Sequence, residues 1–175
     1  ILGNGGDGIQ IATTTGSHNI SINNNTITGN TNNGVFIYPS GGAITLDMAG
    51  NTASSNTDDG VSITLRNASK LKGSFEDNIT NSNGANGAGF TTENTSVISS
   101  MTIENNSASS NTDNGFKVQT ENTSSLTATL SNNFSNSNST SGMTLKLKDA
   151  STADLTITDN TLTNHSNVNR AGLNL

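Results

Sequence analysis

The sequence contains no cysteine and no tryptophan, and charged residues make up only 11% of its 175 residues. Without cysteine the chain forms neither disulfides nor thiolate metal sites, and it has no cysteine nucleophile. Its seven Lys and Arg residues are scattered through a chain of net charge −6, which argues against nucleic acid as a partner because phosphate binding requires clustered basic side chains. No apolar run approaches the length of a membrane span, so this segment is not expected to insert into a membrane.

Apolar residues are also scarce, at 29% of the chain, and aromatic residues account for 3%. A composition so poor in Leu, Ile, Val and Phe cannot fill a thick globular core and is often typical of disorder. The apolar residues nevertheless keep the period of two that half-buried strands require. A narrow core shared between stacked turns accounts for both observations.

Asparagine, by contrast, is abundant and regularly spaced. Six times an asparagine is followed five residues later by a second asparagine or, in the last pair, by His165. The second members are Asn30, Asn56, Asn83, Asn111, Asn138 and His165. The first members lie 26 to 28 residues apart, at Asn25, Asn51, Asn78, Asn106, Asn133 and Asn160. So small a drift over five intervals indicates a repeated structural unit.

Two further markers keep the same register. A large apolar residue lies three positions before each first asparagine, at Ile22, Met48, Phe75, Ile103, Leu130 and Ile157. A glycine that leads a short run of alternating residues precedes each pair, at Gly8, Gly34, Gly60, Gly89, Gly115 and Gly142, and a seventh, Gly172, follows the last pair. Glycine suits such a corner because it adopts positive φ easily or lets another backbone pass close by. The three markers predict about six turns of about 27 residues, each with three short strands.

The first asparagine of each pair is expected to form a stacked ladder. If successive turns lie roughly 4.8 Å apart, like neighbouring strands of a sheet, each side-chain amide can bond the one above and the one below. Such bonds would satisfy polar groups that a narrow core would otherwise leave unpaired. The second asparagines are expected to be the more exposed set, because His165 replaces one of them.

The stretch NNNTITGNTNNGVFI, residues 23–37, resembles the repeat of right-handed parallel β-helix proteins, the pectate-lyase-like superfamily. The resemblance implies an all-β fold, a right-handed β-solenoid that forms a single domain over residues 1–175. Such a chain is expected to be either a segment of a longer protein or a fibre subunit. The superfamily includes polysaccharide lyases and hydrolases, epimerases, phage tailspikes and surface adhesins, so the resemblance leaves the function open.

In catalytic members of that superfamily, the resemblance implies a groove along one sheet that carries carboxylates, basic residues and aromatic rings. The outward positions of the glycine-led strands here offer one carboxylate, Glu93, together with Lys117 and Lys146. Glycoside hydrolysis needs two carboxylates, and calcium-assisted lyase chemistry needs several oxygens around the ion. No catalytic residue is therefore assigned, and Phe36 and Tyr38 are candidates for contact with a sugar.

Acidic residues gather at two corners of the repeat. Glu76, Asp77 and Glu104 precede the first asparagines, and Asp58 and Asp59 precede a glycine. Stacked oxygens of this kind can hold calcium, although a solvated acidic corner explains the same pattern. No other cofactor is expected.

The sequence also places large apolar side chains on the outward side of the third strand. These are Ile79 and Phe134, which interrupt a surface of Thr and Ser. We interpret them as candidate contacts with another chain.

These features favour an extracellular structural or adhesive module on a bacterial or phage surface. Its expected partners are neighbouring repeats, further copies stacked end to end in a fibre, or carbohydrate. The alternative hypothesis is a carbohydrate-active enzyme, similar to polysaccharide lyases or hydrolases, or a carbohydrate-binding β-helix. Glu93, Lys117 and Lys146 are the residues nominated for that alternative.

Overall fold

The computed structural model describes residues 1–166 and 172–174, which contain seventeen strands numbered β1 to β17 in chain order. The first sheet has seven strands: β1 (Ile9–Ile11), β4 (Val35–Ile37), β7 (Val61–Leu65), β9 (Ala88–Thr92), β11 (Phe116–Thr120), β14 (Met143–Leu147) and β17 (Leu173–Asn174). The second has six: β2 (Ser17–Asn23), β5 (Ala43–Ala49), β8 (Lys70–Glu76), β10 (Val97–Glu104), β12 (Ser125–Ser131) and β15 (Thr152–Thr158).

The third face consists of two short strand pairs. They are β3 (Thr26–Thr28) with β6 (Thr52–Ser54), and β13 (Phe134–Asn136) with β16 (Thr161–Thr163). Isolated parallel bridges at Ile79 and Ser107 join the two pairs into one column. Within the described residues there is no helix, and hence none long and apolar enough to cross a membrane.

Within each sheet, neighbouring strands pair in parallel and come from adjacent turns, about 27 residues apart along the chain. For example, Ile22 pairs with Met48. Parallel pairing at this fixed separation winds the chain into a coil of about six turns, as the spacing of the asparagines predicts. The all-β solenoid with three short strands per turn is confirmed.

The core is a set of apolar columns that run along the coil axis. The residues three positions before the first asparagines form one column, and its members from Ile22 to Leu130 are at most 6% exposed. Ile157 is partly buried against the same core. Phe75 is fully buried in this column and meets Phe90 of the first sheet edge to face, with ring centroids 5.5 Å apart. The narrow shared core predicted from the composition is therefore present.

One glycine marker is placed incorrectly by the sequence pattern. The structure pairs Val61 with Ala88 and Ala88 with Phe116, so Gly87, and not Gly89, leads the fourth strand of the first sheet. A two-residue shift keeps the same side chains pointing inward because the strand period is two. The alternating pattern could not reveal the error for that reason.

The leading glycines are required by close approach and not by positive φ. Gly34 and Gly60 have no positive φ, but a Cβ added to Gly34 would lie 2.7 Å from Nδ2 of Asn56, and one added to Gly60 would lie 2.6 Å from Nδ2 of Asn83. The sequence left open whether glycine is needed for positive φ or for close approach, and the structure shows that close approach is the reason. The glycines make room for the second asparagine of each pair.

A different corner does use positive φ. The residue immediately before each first asparagine lies in the left-handed region, at Asn24, Gly50, Asp77, Asn105, Asn132 and Asp159. Gly, Asn and Asp enter this region at the lowest cost. The left-handed conformation is a structural reason for an aspartate at position 77, which is also one of the calcium candidates.

Candidate functional site

The first ladder comprises Asn25, Asn51, Asn78, Asn106, Asn133 and Asn160, and it is continuous. In a typical rung, both the backbone N–H and the side-chain Nδ2 of Asn51 donate to Oδ1 of Asn78, at 2.9 and 3.0 Å. Nδ2 of Asn78 also donates to the carbonyl oxygen of Met48 at 2.9 Å. Each side chain thereby joins turns on both sides of it. The predicted asparagine ladder is confirmed.

The members of the second ladder from Asn30 to Asn138 are as deeply buried as the interior of the first. It runs through Asn4, Asn30, Asn56, Asn83, Asn111, Asn138 and His165. Asn30 and Asn138 are fully buried, and Nδ2 of Asn30 donates to Oδ1 of Asn56 at 2.8 Å. The expectation that these asparagines are the more exposed set is wrong. They fill the space that the leading glycines leave.

His165 ends the second ladder in the described residues. Its Nδ1 accepts a hydrogen bond from the backbone N–H of Asn138 at 3.3 Å, while its Nε2 is buried without a partner. Burial lowers the pKa of His165 below its usual 6.5. As the pH falls, His165 is therefore protonated at a higher pH in the unfolded chain than in the folded chain. The contribution of His165 to the free energy of unfolding is lost as the pH falls below about 6.5.

A third ladder was not predicted from the sequence. It consists of the residue before each leading glycine, namely Asp7, Asn33, Asp59, Asn86 and Asn114. Its side chains donate toward the preceding turn: Nδ2 of Asn86 bonds Oδ1 of Asp59 at 2.9 Å. This direction is opposite to that of the other ladders. The signal in the sequence is a recurring Asn-Gly or Asp-Gly pair, which the misplaced glycine in the fourth turn concealed.

Asp59 is the one acid that lies in the middle of this ladder. Its Oδ1 accepts hydrogen bonds from the backbone N–H and Nδ2 of Asn86, at 2.8 and 2.9 Å. Burial raises its pKa above the usual 3.8, against the opposing effect of the bonds from Asn86. As a carboxylate, Asp59 has no proton to donate to Asn33, so this rung lacks the side-chain bond that an asparagine would make.

We expect Asp59→Asn to raise the free energy of unfolding at neutral pH by about 1 kcal/mol. The amide would remove a poorly solvated charge and supply the missing donor toward Asn33. Because the folded-state pKa of Asp59 is raised, its contribution to stability is fully present below about 3.8 and is lost as the pH rises through the folded-state value. The variant should lack this part of the pH dependence, as urea denaturation across pH would show.

The matched control is Asp58→Asn, which makes the same charge change at an exposed neighbour. It should shift the unfolding midpoint little, since exposed substitutions usually change stability by less than about 0.5 kcal/mol. Equal stabilisation by both substitutions would assign the effect to net charge and not to the ladder.

The outward face of the first sheet holds the candidate sugar contacts. The rings of Phe36 and Tyr38 stack on each other, with centroids 4.6 Å apart and an angle of 22° between their planes. On the following turns Phe36 is succeeded by Ser62 and then Gly89. Two small residues therefore follow Phe36 in this row on the next two turns.

Glu93 does not lie where the sequence places it. The structure pairs Gln119 with Thr91 and with Lys146, so Glu93 lies one outward position beyond that row. Its carboxylate forms an ion pair with Arg66 at 3.2 Å. The misplaced glycine again causes the discrepancy. Glu93 is therefore not in the row that contains Gln119 and Lys146.

The next turn carries a second ion pair of the same kind. Glu121 accepts a hydrogen bond from Nζ of Lys148 at 2.9 Å. The corner column thus reads Arg66, Glu93, Glu121 and Lys148, with each acid paired to a base on its outer side. Both acids are engaged in these pairs.

The calcium candidates are separated into different arrangements. Glu76 and Glu104 pair in register on adjacent turns, and Oε1 of Glu104 accepts a bond from Asn132 at 3.1 Å. Asp58 is exposed. Within the described ranges, no group of three His, Cys, Asp or Glu side chains is arranged to hold a metal ion. Calcium binding stays a prediction, and a melting temperature that rises in millimolar calcium would support it.

Ile79 and Phe134 lie on the outward side of the third face, two turns apart. They are 42% and 44% exposed, respectively. Ser107 lies between them in the same column. They remain candidate partner contacts.

The comparisons with known proteins agree with this architecture. The family model described as a right-handed β-helix region matches residues 1–75. No curated protein and no solved structure matches the chain significantly. Beyond residue 75 the structure continues the same sheets up to β17, with one register shift within β10. Leu175, the end of the last glycine-led strand in the sequence pattern, lies outside the described residues. The chain is therefore a parallel β-solenoid, and its first 75 residues are similar to right-handed β-helix regions.

Proposed function

We propose that this β-helix is an extracellular structural or adhesive module of a bacterial or phage surface. The observation that carries the proposal is the set of three polar ladders that run through successive turns. The polar side chains that recur in every ladder are engaged in hydrogen bonds between turns. The residues that recur in every turn therefore make the coil stiff.

The mechanism follows from the geometry of a rung. Each interior asparagine of the first ladder bonds the next turn through two donors and accepts two bonds from the preceding turn, as Asn78 does. Bending the rod or pulling a turn away would break bonds in several ladders at once, and buried polar groups would lose their partners. Such a rod holds its corner loops at fixed spacing, where they can contact another surface.

The first and last described turns support the proposed stacking with further turns. The core residues that are only partly buried all belong to these turns: Ile9, Ile11, Ile20, Leu155, Ile157, Leu162 and Leu173. Apolar surface of this kind is stabilised when another turn covers it, either from a neighbouring repeat or from a second copy. Electron microscopy of the native material would show a continuous rod with a layer spacing of roughly 4.8 Å.

The enzyme alternative has a direct test. We expect the purified protein to leave acidic polysaccharides intact, as measured by the release of reducing ends and of unsaturated products. Sustained turnover would contradict the structural role. In that event Glu93→Ala would show whether the carboxylate beside Arg66 participates, because loss of turnover would implicate it.

A carbohydrate-binding function is the second candidate, and the stacked Phe36 and Tyr38 rings favour it. Aromatic faces on a level surface pack against the apolar face of a sugar ring. If an oligosaccharide binds, replacing both rings by alanine should weaken its binding at least about tenfold. Phe134→Ala removes an exposed ring from another face and should leave binding unchanged, as titration calorimetry would show.

A further inference from the structure

The corner between the first and second sheets contains buried hydroxyl groups. In four successive turns, the last residue of the first-sheet strand is followed four positions later by a serine. The pairs are Leu65 and Ser69, Thr92 and Ser96, Thr120 and Ser124, and Leu147 and Ser151. The two threonines pair with each other in register, and each has a leucine on its other side. The threonine turns are therefore covered by further turns in both directions.

The backbone of this corner is the same in all four turns. The serine N–H donates to the carbonyl oxygen three residues earlier, at 3.2 Å for Ser69, Ser96 and Ser151 and at 3.3 Å for Ser124. Any difference in what the serine hydroxyls bond must therefore come from the side chains around them and not from the path of the chain.

In the two leucine turns, the serine hydroxyl bonds the protein itself. Oγ of Ser69 donates to the carbonyl oxygen of Pro39, at 3.0 Å, or to that of Arg66. Oγ of Ser151 has the equivalent choice in its own turn, with acceptors at 2.9 and 2.7 Å. The corner can thus satisfy a buried serine without any other molecule.

In the two threonine turns, the hydroxyls have no such partners. Oγ1 of Thr92 and Thr120 and Oγ of Ser96 and Ser124 are buried and form no hydrogen bond with any described residue. All four residues are at most 1% exposed. Buried hydroxyls in folded proteins are almost always paired, either with protein groups or with ordered water. Four unpaired hydroxyls at one corner of two adjacent turns indicate a shared ligand.

We propose that this corner binds water, one molecule in each threonine turn, between the hydroxyl of the threonine and that of the serine. A hydroxyl can donate one bond and accept others, so it can pair with either end of a water molecule. Because Thr92 pairs with Thr120 in register, the hydroxyls of the adjacent turn supply further partners. A buried water needs two to four polar partners. Threonine also has one non-hydrogen atom fewer than leucine, which makes room for the water in these turns.

The charges at this corner favour a neutral ligand over a cation. The carboxylates that follow the two threonines are those of Glu93 and Glu121, and they form ion pairs with Arg66 and Lys148 at 3.2 and 2.9 Å. Their charge is thereby compensated by basic side chains of the protein. The hydroxyls themselves are neutral and both donate and accept, which matches water and not an ion that requires acceptors alone.

Magnetic relaxation dispersion of oxygen-17 in the solvent tests the proposal directly. It counts the water molecules that stay bound inside a protein, and the exchange of hydroxyl protons does not affect it. Valine has the branched shape of threonine without the hydroxyl. We expect the folded 175-residue chain to hold long-lived water, and Thr92→Val combined with Thr120→Val to remove the signal of about two molecules.

The matched control combines Thr64→Val with Thr91→Val. These threonines lie on strands of the same sheet but point outward and are partly exposed, so the signal of long-lived water should not change. If the double variant of the buried threonines does not fold, Ser96→Ala combined with Ser124→Ala removes the other two hydroxyls and should lose the same signal.

The direction of the stability change is a second readout. Thr92→Val should raise the equilibrium constant of unfolding at least about fivefold, because the water and Ser96 would each lose a partner. If the hydroxyl were buried dry, its removal would lower that constant instead. Thr91→Val should change it by less than about threefold. Urea denaturation would measure the three constants.

A folded chain without long-lived water would overturn the proposal. So would a water signal that remains in a folded variant lacking either pair of hydroxyls, and so would stabilisation by Thr92→Val. A melting temperature that rises with added Na⁺ or K⁺, but only while both buried threonines are present, would assign the corner to a cation instead.

Discussion

Replacing Asn78 by alanine is expected to lower the free energy of unfolding by about 3–5 kcal/mol. Its Oδ1 accepts from both donors of Asn51, and its Nδ2 donates to Met48 and to Asn106. The substitution would leave the Asn51 N–H and the Met48 carbonyl buried without these partners, at about 1–3 kcal/mol for each unsatisfied group. Urea denaturation followed by circular dichroism would measure the loss.

Asn25→Ala provides the control at a partly exposed rung of the same ladder. Its Nδ2 bonds Asn51 and the carbonyl of Asn23, but water can replace these bonds at an open position. We expect a loss of about 1 kcal/mol. If both substitutions cost the same, the stability would come from strand pairing and the apolar columns, and the ladder would be a consequence of the fold.

Replacing Phe75 by alanine is the second substitution with a large expected effect, a loss of about 3–5 kcal/mol. The ring is fully buried between Met48 and Ile103 in its column and packs against the edge of Phe90. A narrow core has few neighbours that can move into the space, so the cavity would persist. Thermal denaturation would report the change as a lower melting temperature.

Phe134→Ala deletes the same side chain from a position that is 44% exposed. It should change the free energy of unfolding by less than about 0.5 kcal/mol. A comparable loss in both variants would mean that the third face is covered in solution, which would support the proposed partner contact at Phe134. Sedimentation of the two proteins would then show whether a second copy provides that cover.

The architecture could be predicted from the sequence because it depends on repetition. A fixed interval between asparagines and a large apolar residue three positions earlier are properties of the chain order alone. The column from Ile22 to Ile157 follows once equivalent residues are stacked. Apart from the known spacing between strands of a sheet, this prediction requires no information about the tertiary structure.

The candidate site was less accessible from the sequence. Choosing Gly89 in place of Gly87 moved Glu93 next to Lys117 and Lys146, whereas the structure pairs it with Arg66. A slip of two residues preserves which side chains point inward, so hydrophobic alternation contains no information about it. The same two-residue error therefore assigns wrong neighbours to the outward side chains, although the predicted core is unchanged.

The sequence by itself determined the repeat length, the number of turns, the apolar columns and the first ladder. Only the tertiary structure decided that the second ladder is buried, that a third ladder runs in the opposite direction, and that Asp59 lies within it. These features depend on which donor meets which acceptor between residues about 27 positions apart, and on the space left where a glycine has no Cβ. The direction of a hydrogen bond and the close approach of two groups depend on how neighbouring turns stack. They cannot be read from the sequence of one turn.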